Sequence, residues 1–107
     1  MDRAKNPTER WTAGEILQTL EKNRHRLRSL RVRKIGLFGS YGRGEASGDS
    51  DLDFLVSFDQ PTFDSYMDLK FFLEDLFGCK IDIVLEDTLK PRLRPRIMNE
   101  VQYAKGL

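Results

Sequence analysis

Gly39-Ser40, followed after a ten-residue spacer by Asp51-Leu52-Asp53, constrains this chain more than any other feature. Arg33-Lys-Ile-Gly-Leu-Phe38 reads as a short buried strand that breaks at Gly39, where Ser40 can cap a new helix with its hydroxyl. A strand that ends in such a turn and opens a helix presents unpaired backbone N–H groups and a positive dipole end, a setting that suits an anion. Residues 52–58, Leu-Asp-Phe-Leu-Val-Ser-Phe, read as a second strand. Side chains alternate across a strand, so Asp51 and Asp53 share one face while Leu52, Phe54, Val56 and Phe58 form an apolar floor on the other. Paired carboxylates above such a floor can hold a hard divalent cation.

A third acid fits the same arrangement. Lys80-Ile-Asp-Ile-Val-Leu85 is the next strand candidate, with Ile81, Ile83 and Leu85 alternating with Asp82 and Val84. If it lies beside the second strand with apolar faces aligned, Asp82 emerges on the side of Asp51 and Asp53. Three carboxylates beside a phosphate-holding turn meet the needs of metal-assisted nucleotidyl transfer, in which two Mg²⁺ ions about 3.5–4 Å apart bind the triphosphate and the attacking oxygen together. A calcium loop starting at Asp49 is excluded. Its sixth and twelfth positions hold Phe54 and Gln60 where Gly and Glu are needed.

Leu37-Phe-Gly-Ser-Tyr-Gly-Arg-Gly-Glu45 followed by Ser50-Asp-Leu-Asp-Phe54 resembles the minimal nucleotidyltransferases of the DNA polymerase β superfamily, from about Arg33 to Tyr103. The family signature is Gly-Ser, a spacer, Asp-x-Asp and a later lone Asp on a strand. Gly42 departs from it, since many relatives carry Ala there. The resemblance implies a palm-like α/β (α+β) fold, a small mixed sheet backed by helices. It also implies transfer of AMP from ATP to an acceptor hydroxyl with release of pyrophosphate. Gly39 and Ser40 would hold the β/γ-phosphates, with Arg43 nearby. Asp51 and Asp53 would bind both Mg²⁺ ions, and Asp82 would share a metal and assist deprotonation of the acceptor. Stand-alone members of this size resemble the antitoxins of HEPN–MNT toxin–antitoxin pairs, which add AMP to a tyrosine of a HEPN ribonuclease toxin. The leading expectation is therefore an antitoxin that is also an enzyme, with a HEPN-type toxin as partner. The alternatives are a small-molecule acceptor of the aminoglycoside type, in a pocket built by dimerisation, and an antitoxin that acts by binding alone.

Length and charge set the outer bounds. At 107 residues the chain is expected to form one domain. It has no apolar run that could span a membrane. The stretch Met1–Pro7 lacks the apolar segment of a secretory signal, and Cys79 is the single cysteine, which together fit a reducing, cytoplasmic setting. Residues 1–50 carry 11 Lys/Arg against 6 Asp/Glu, whereas residues 51–107 carry 7 against 11. The basic groups gather at Arg24–Lys34 and at Lys90–Arg96 and read first as a solvated face, with steering of nucleotide, an RNA backbone or an acidic partner as the alternative; Arg24–Lys34 and the C-terminal segment are candidate docking surfaces for a protein partner. No interleaved aromatic stripe supports specific nucleic-acid reading, and no residue set identifies a base pocket. His25, without a second His or Cys nearby, reads as a surface residue.

The remaining elements follow from periodicity and caps. Thr12-Ala-Gly-Glu15 is a capping box that opens a helix expected to run to about Leu30 on an Ile16, Leu17, Leu20 and Leu27 stripe. Residues 63–77 read as a largely buried helix ended by Gly78. A last helix is expected from Pro91 to about Glu100, with Pro95 limiting its regularity. The order α-β-α-β-α-β-α suits a small mixed sheet whose other face is left bare.

Overall fold

A computed structural model describes residues 11–39 and 52–107. The expected helix from Ser40 and the loop 46–50 lie outside the described residues. The capping box forms as expected: the Glu15 amide donates to Thr12 Oγ1 and the Thr12 amide to Glu15 Oε1, both at 3.1 Å. It opens α1, Ala13–Lys22. The helix does not continue to Leu30. At Asn23 the side-chain amide donates to the Thr19 carbonyl at 2.8 Å, and the backbone there leaves helical geometry (φ −106°, ψ 20°). An asparagine that satisfies a helix carbonyl with its own side chain offers the backbone an alternative to the ladder. A second short helix, α2 (Arg24–Ser29), resumes after it and buries Leu27.

Strand β1 spans Val32–Phe38 and β2 spans Leu52–Phe58. They pair antiparallel, with Leu37 opposite Phe54 and Phe38 opposite Asp53. Helix α3, Phe63–Phe77, has the expected bounds. Thr62 caps its start by accepting from the Ser65 amide at 3.0 Å, and Gly78 closes it in the left-handed conformation (φ 68°). Strand β3, Ile81–Leu85, then returns parallel to β2. A single 3₁₀ turn follows at Glu86–Thr88.

The chain's last third differs from expectation in two ways. The final helix, α4, spans Arg94–Glu100, so Pro95 falls in its first turn, where its missing N–H costs nothing. After it comes a two-residue strand, β4 (Gln102–Tyr103), antiparallel to β1. The sheet order is β3-β2-β1-β4.

One face of this sheet carries the core. Ile35 and Leu37 of β1, Leu52, Phe54 and Val56 of β2, and Ile81 and Ile83 of β3 pack with Ile16, Leu20, Leu27, Leu69, Leu73 and Phe77 from the helices. Trp11 ties the start of the described chain to the end of α3, donating from its indole to the Phe77 carbonyl at 3.0 Å and meeting the Phe77 ring edge-on at 5.0 Å. The opposite face is not wholly bare. Leu55, on the side of Asp53, is fully buried. Its neighbour Gly36 lies under Val101 and Tyr103: a Cβ there would stand 2.5 Å from Val101 Cγ2 and 3.0 Å from Tyr103 Cδ1. The C-terminal segment therefore covers part of the face that the sequence leaves open.

Gly36 is thus required for a close approach, whereas a Cβ on Gly14 of α1 would meet nothing within 4 Å. Gly36→Ala should destabilise by about 1–3 kcal/mol through overpacking. Gly14→Ala should be neutral or stabilising by up to about 1 kcal/mol. Urea denaturation of the two variants beside the parent chain checks both signs.

Candidate active site

The parallel pairing of β2 with β3 sets the site. Its register matches Leu52 with Ile81, Asp53 with Asp82 and Phe54 with Ile83. Leu52, Phe54, Ile81 and Ile83 are buried against the helices. Alternation then sends Asp53 and Asp82 out together on the other face. Neighbouring strands lie about 4.8 Å apart, so two carboxylates at matched positions stand side by side. Asp53 is partly buried and Asp82 is exposed, which leaves this end of the face open to a ligand. Like charges directly opposed on a sheet are destabilising by themselves, and a shared cation turns that repulsion into attraction.

Gly39 closes the site from β1. Its backbone adopts φ +79°, a region that disfavours side chains, and a Cβ built there would run into the Asp53 carboxylate, Oδ2 first. The strand end at Phe38, register partner of Asp53, thereby brings the Gly39 backbone against one of the two acids. Of the residues singled out in the sequence, the structure brings Gly39, Asp53 and Asp82 together. Asp51, Ser40 and Arg43 lie outside the described residues. His25 is exposed, as expected of a surface residue.

Sequence reasoning missed a second charged group on the same side of the sheet. Glu86, just after β3, is 9% exposed. Arg94 of α4 reaches it at 3.3 Å (Nη2 to Oε2), and also donates to its carbonyl at 3.3 Å. Lys34 of β1 stands 3.6 Å from Oε1 and lies over the Tyr103 ring, 5.2 Å from its centre. Four elements distant in sequence thus meet at one carboxylate. The only signal available beforehand was period-two alternation, which continues from Asp82 through Val84 to Glu86.

Comparison with known proteins identifies the family. Residues 17–104 match the family model for the nucleotidyltransferase domain. The chain is 40% identical over 94 residues to the protein adenylyltransferase MntA of Thermococcus cleftensis, covering 86% of this chain and 95% of that protein. Among solved structures it resembles one assigned as a minimal nucleotidyltransferase, with a TM-score of 0.75 at 35% identity over 88% of this chain and 97% of the other. It shares its fold with a complex of tri-AMPylated Shewanella oneidensis HEPN toxin and MNT antitoxin, at a TM-score of 0.60 and 20% identity over 85% of this chain and 73% of that one. The chain belongs to the nucleotidyltransferase domain family, and it is a nucleotidyltransferase. Among the described residues no helix is long and apolar enough to cross a membrane.

Gly39→Ala should displace the Asp53 carboxylate and lower nucleotidyl transfer by about 10²-fold, the scale of an ångström-level misplacement. Single-turnover transfer rates check this, with circular dichroism confirming that the fold persists.

Tyr103, whose hydroxyl donates to Met98 Sδ at 3.9 Å, has its pKa raised above 10.0 by burial and by the nearby Glu86 charge, with Arg94 opposing. The neutral phenol is the form that the fold favours. This contribution is complete below pH 10 and is lost as pH rises through the folded-state value. Glu86→Gln should move the Tyr103 transition down towards 10.0, as read from tyrosinate absorbance against a Tyr103→Phe control.

Proposed function

We propose that this chain is an antitoxin that transfers AMP from ATP to a tyrosine hydroxyl of a HEPN-type toxin. The observation that carries the chemistry is the matched register of Asp53 and Asp82 beside the Gly39 turn. Two hard oxygen donors on adjacent strands, one exposed and one held under a glycine, fit a divalent cation. Asp53 and Asp82, with Asp51 two residues before Asp53, would hold two Mg²⁺ ions. When bound, these ions neutralise phosphate charge and align the attacking oxygen with the leaving group.

The chain's own residues supply the rest. Gly39 and Ser40 hold the β/γ-phosphates, with Arg43 near them. Gly39 has no Cβ, so phosphate and carboxylate can approach the same turn. Asp82, on the open side, takes the proton of the acceptor hydroxyl. The hydroxyl oxygen then bonds to the α-phosphorus, and the bond to pyrophosphate breaks. Alignment and charge neutralisation provide most of the rate.

The acceptor reading rests on similarity to a protein adenylyltransferase and on the exposure of Asp82, which a protein side chain can reach. Partial cover of the sheet by the C-terminal segment leaves the acid end free for a partner to dock against. The experiment combines the purified chain, ATP, Mg²⁺ and the product of the adjacent gene, with a HEPN-type toxin as the expected partner. The expected outcome is a mass increase of one or more AMP units on that partner, lost with Tyr→Phe at its acceptor. The Asp51→Asn/Asp53→Asn double variant should show no Mg²⁺-dependent labelling by α-labelled ATP. Full labelling by that variant refutes the mechanism, and inhibition of the partner without a mass change refutes the transfer role.

A further inference from the structure

On the helical side of the sheet, away from the acids, α2 and α3 leave an open groove of about 620 Å³. Arg26 and Leu30 line one wall, and Asp68, Phe71, Phe72 and Asp75 line the other. Phe72 and Leu30 are half-buried and pack on the core, so the floor is apolar and anchored. Phe71, by contrast, is 58% exposed. It shares one stripe of α3 with Asp68 and Asp75, at intervals of three and four residues, and all three face solvent.

The charges are divided by wall. Arg26 sits over the Phe72 ring, 5.6 Å from its centre, on the basic side. The acidic side carries Asp68 and Asp75. Among the described residues none of these three has an ion-pair partner. A surface that holds an exposed aromatic ring, a groove to receive one, and unpaired charges of both signs is complementary to itself. A two-fold axis satisfies that pattern, because in an isologous contact residue i meets j and j meets i.

We propose that this groove is the contact face of a homodimer. Phe71 of each copy enters the other's groove between Leu30 and Phe72, and Arg26 of each copy lies against Asp68 and Asp75 of the other. Two buried aromatic anchors with charged flanks match the anatomy of a specific interface. The contact lies across the sheet from Asp53 and Asp82, so both acid faces point outward and remain available. The proposal is independent of the transfer reading, and loss of one leaves the other standing.

Sedimentation velocity of the whole chain tests it. The parent chain should sediment as a dimer, with an affinity that weakens as salt rises. Phe71→Glu, at an exposed position, should weaken association by about tenfold or more while leaving the far-ultraviolet dichroism unchanged. Arg26→Glu alone should be monomeric, because like charges then meet at both contacts, and so should Asp68→Lys/Asp75→Lys alone. An equimolar mixture of those two variants restores opposite charges at both contacts and should form a heterodimer. A parent chain that stays monomeric up to about 100 μM overturns the proposal. So does a dimer whose affinity is unchanged by Phe71→Glu, or a mixture that fails to associate.

Discussion

The parallel ladder between β2 and β3 is the constraint on which the rest depends. A shift of one residue would turn Asp82 into the core and send Ile83 into water, since side chains alternate with a period of two. Burial of Leu52, Phe54, Ile81 and Ile83 on one face opposes that shift, and the same burial holds two like charges together on the other. Fully burying each such side chain is worth roughly 1.5–3 kcal/mol, which exceeds the repulsion of two partly solvated carboxylates at about 1 kcal/mol in water-like dielectric. The hydrophobic floor therefore stabilises an arrangement that the acids alone would oppose. In the proposed function, that is how a small domain would hold the two acids in place for a cation.

Gly39 and Gly36 solve the same problem at two points along β1. Each lets another group approach the backbone where a Cβ would collide, Asp53 in one case and Val101 in the other. Between them the strand divides its outer face into an acid end and a covered end. At the covered end Glu86 draws Lys34, Arg94 and the Tyr103 region together. A buried charge of this kind is weak evidence for stability, because desolvation offsets much of the attraction. Its role here is geometric: it helps hold the C-terminal segment against Gly36, while Asp82 stays exposed.

Much of this was legible in the sequence where a single periodicity ran without competition. The bounds of β2 follow from the alternation of Leu52, Phe54, Val56 and Phe58, interrupted only at Leu55, and those of α3 from its apolar repeat and Gly78. The placement of Asp82 beside Asp53 followed from aligning apolar faces. The break at Asn23 was hidden because the apolar stripe carries on from Leu20 to Leu27 in spite of it. Strand β4 was hidden because two residues, Gln102 and Tyr103, hold no pattern, and their pairing with Leu37 and Gly36 is purely tertiary. Glu86 was missed for the same reason: its partners come from β1, α4 and β4, and no local spacing joins them.

In the proposed function Asp53 and Asp82 act as one cation site at the end of the sheet. Adding Mn²⁺ as a paramagnetic stand-in for Mg²⁺ to isotope-labelled protein reads this directly through its broadening of backbone amide signals. The predicted result is broadening centred on residues 53 and 82 and their register neighbours at the ends of β2 and β3, greatly reduced in Asp53→Asn and in Asp82→Asn. Broadening centred elsewhere, or unchanged by either substitution, would contradict it.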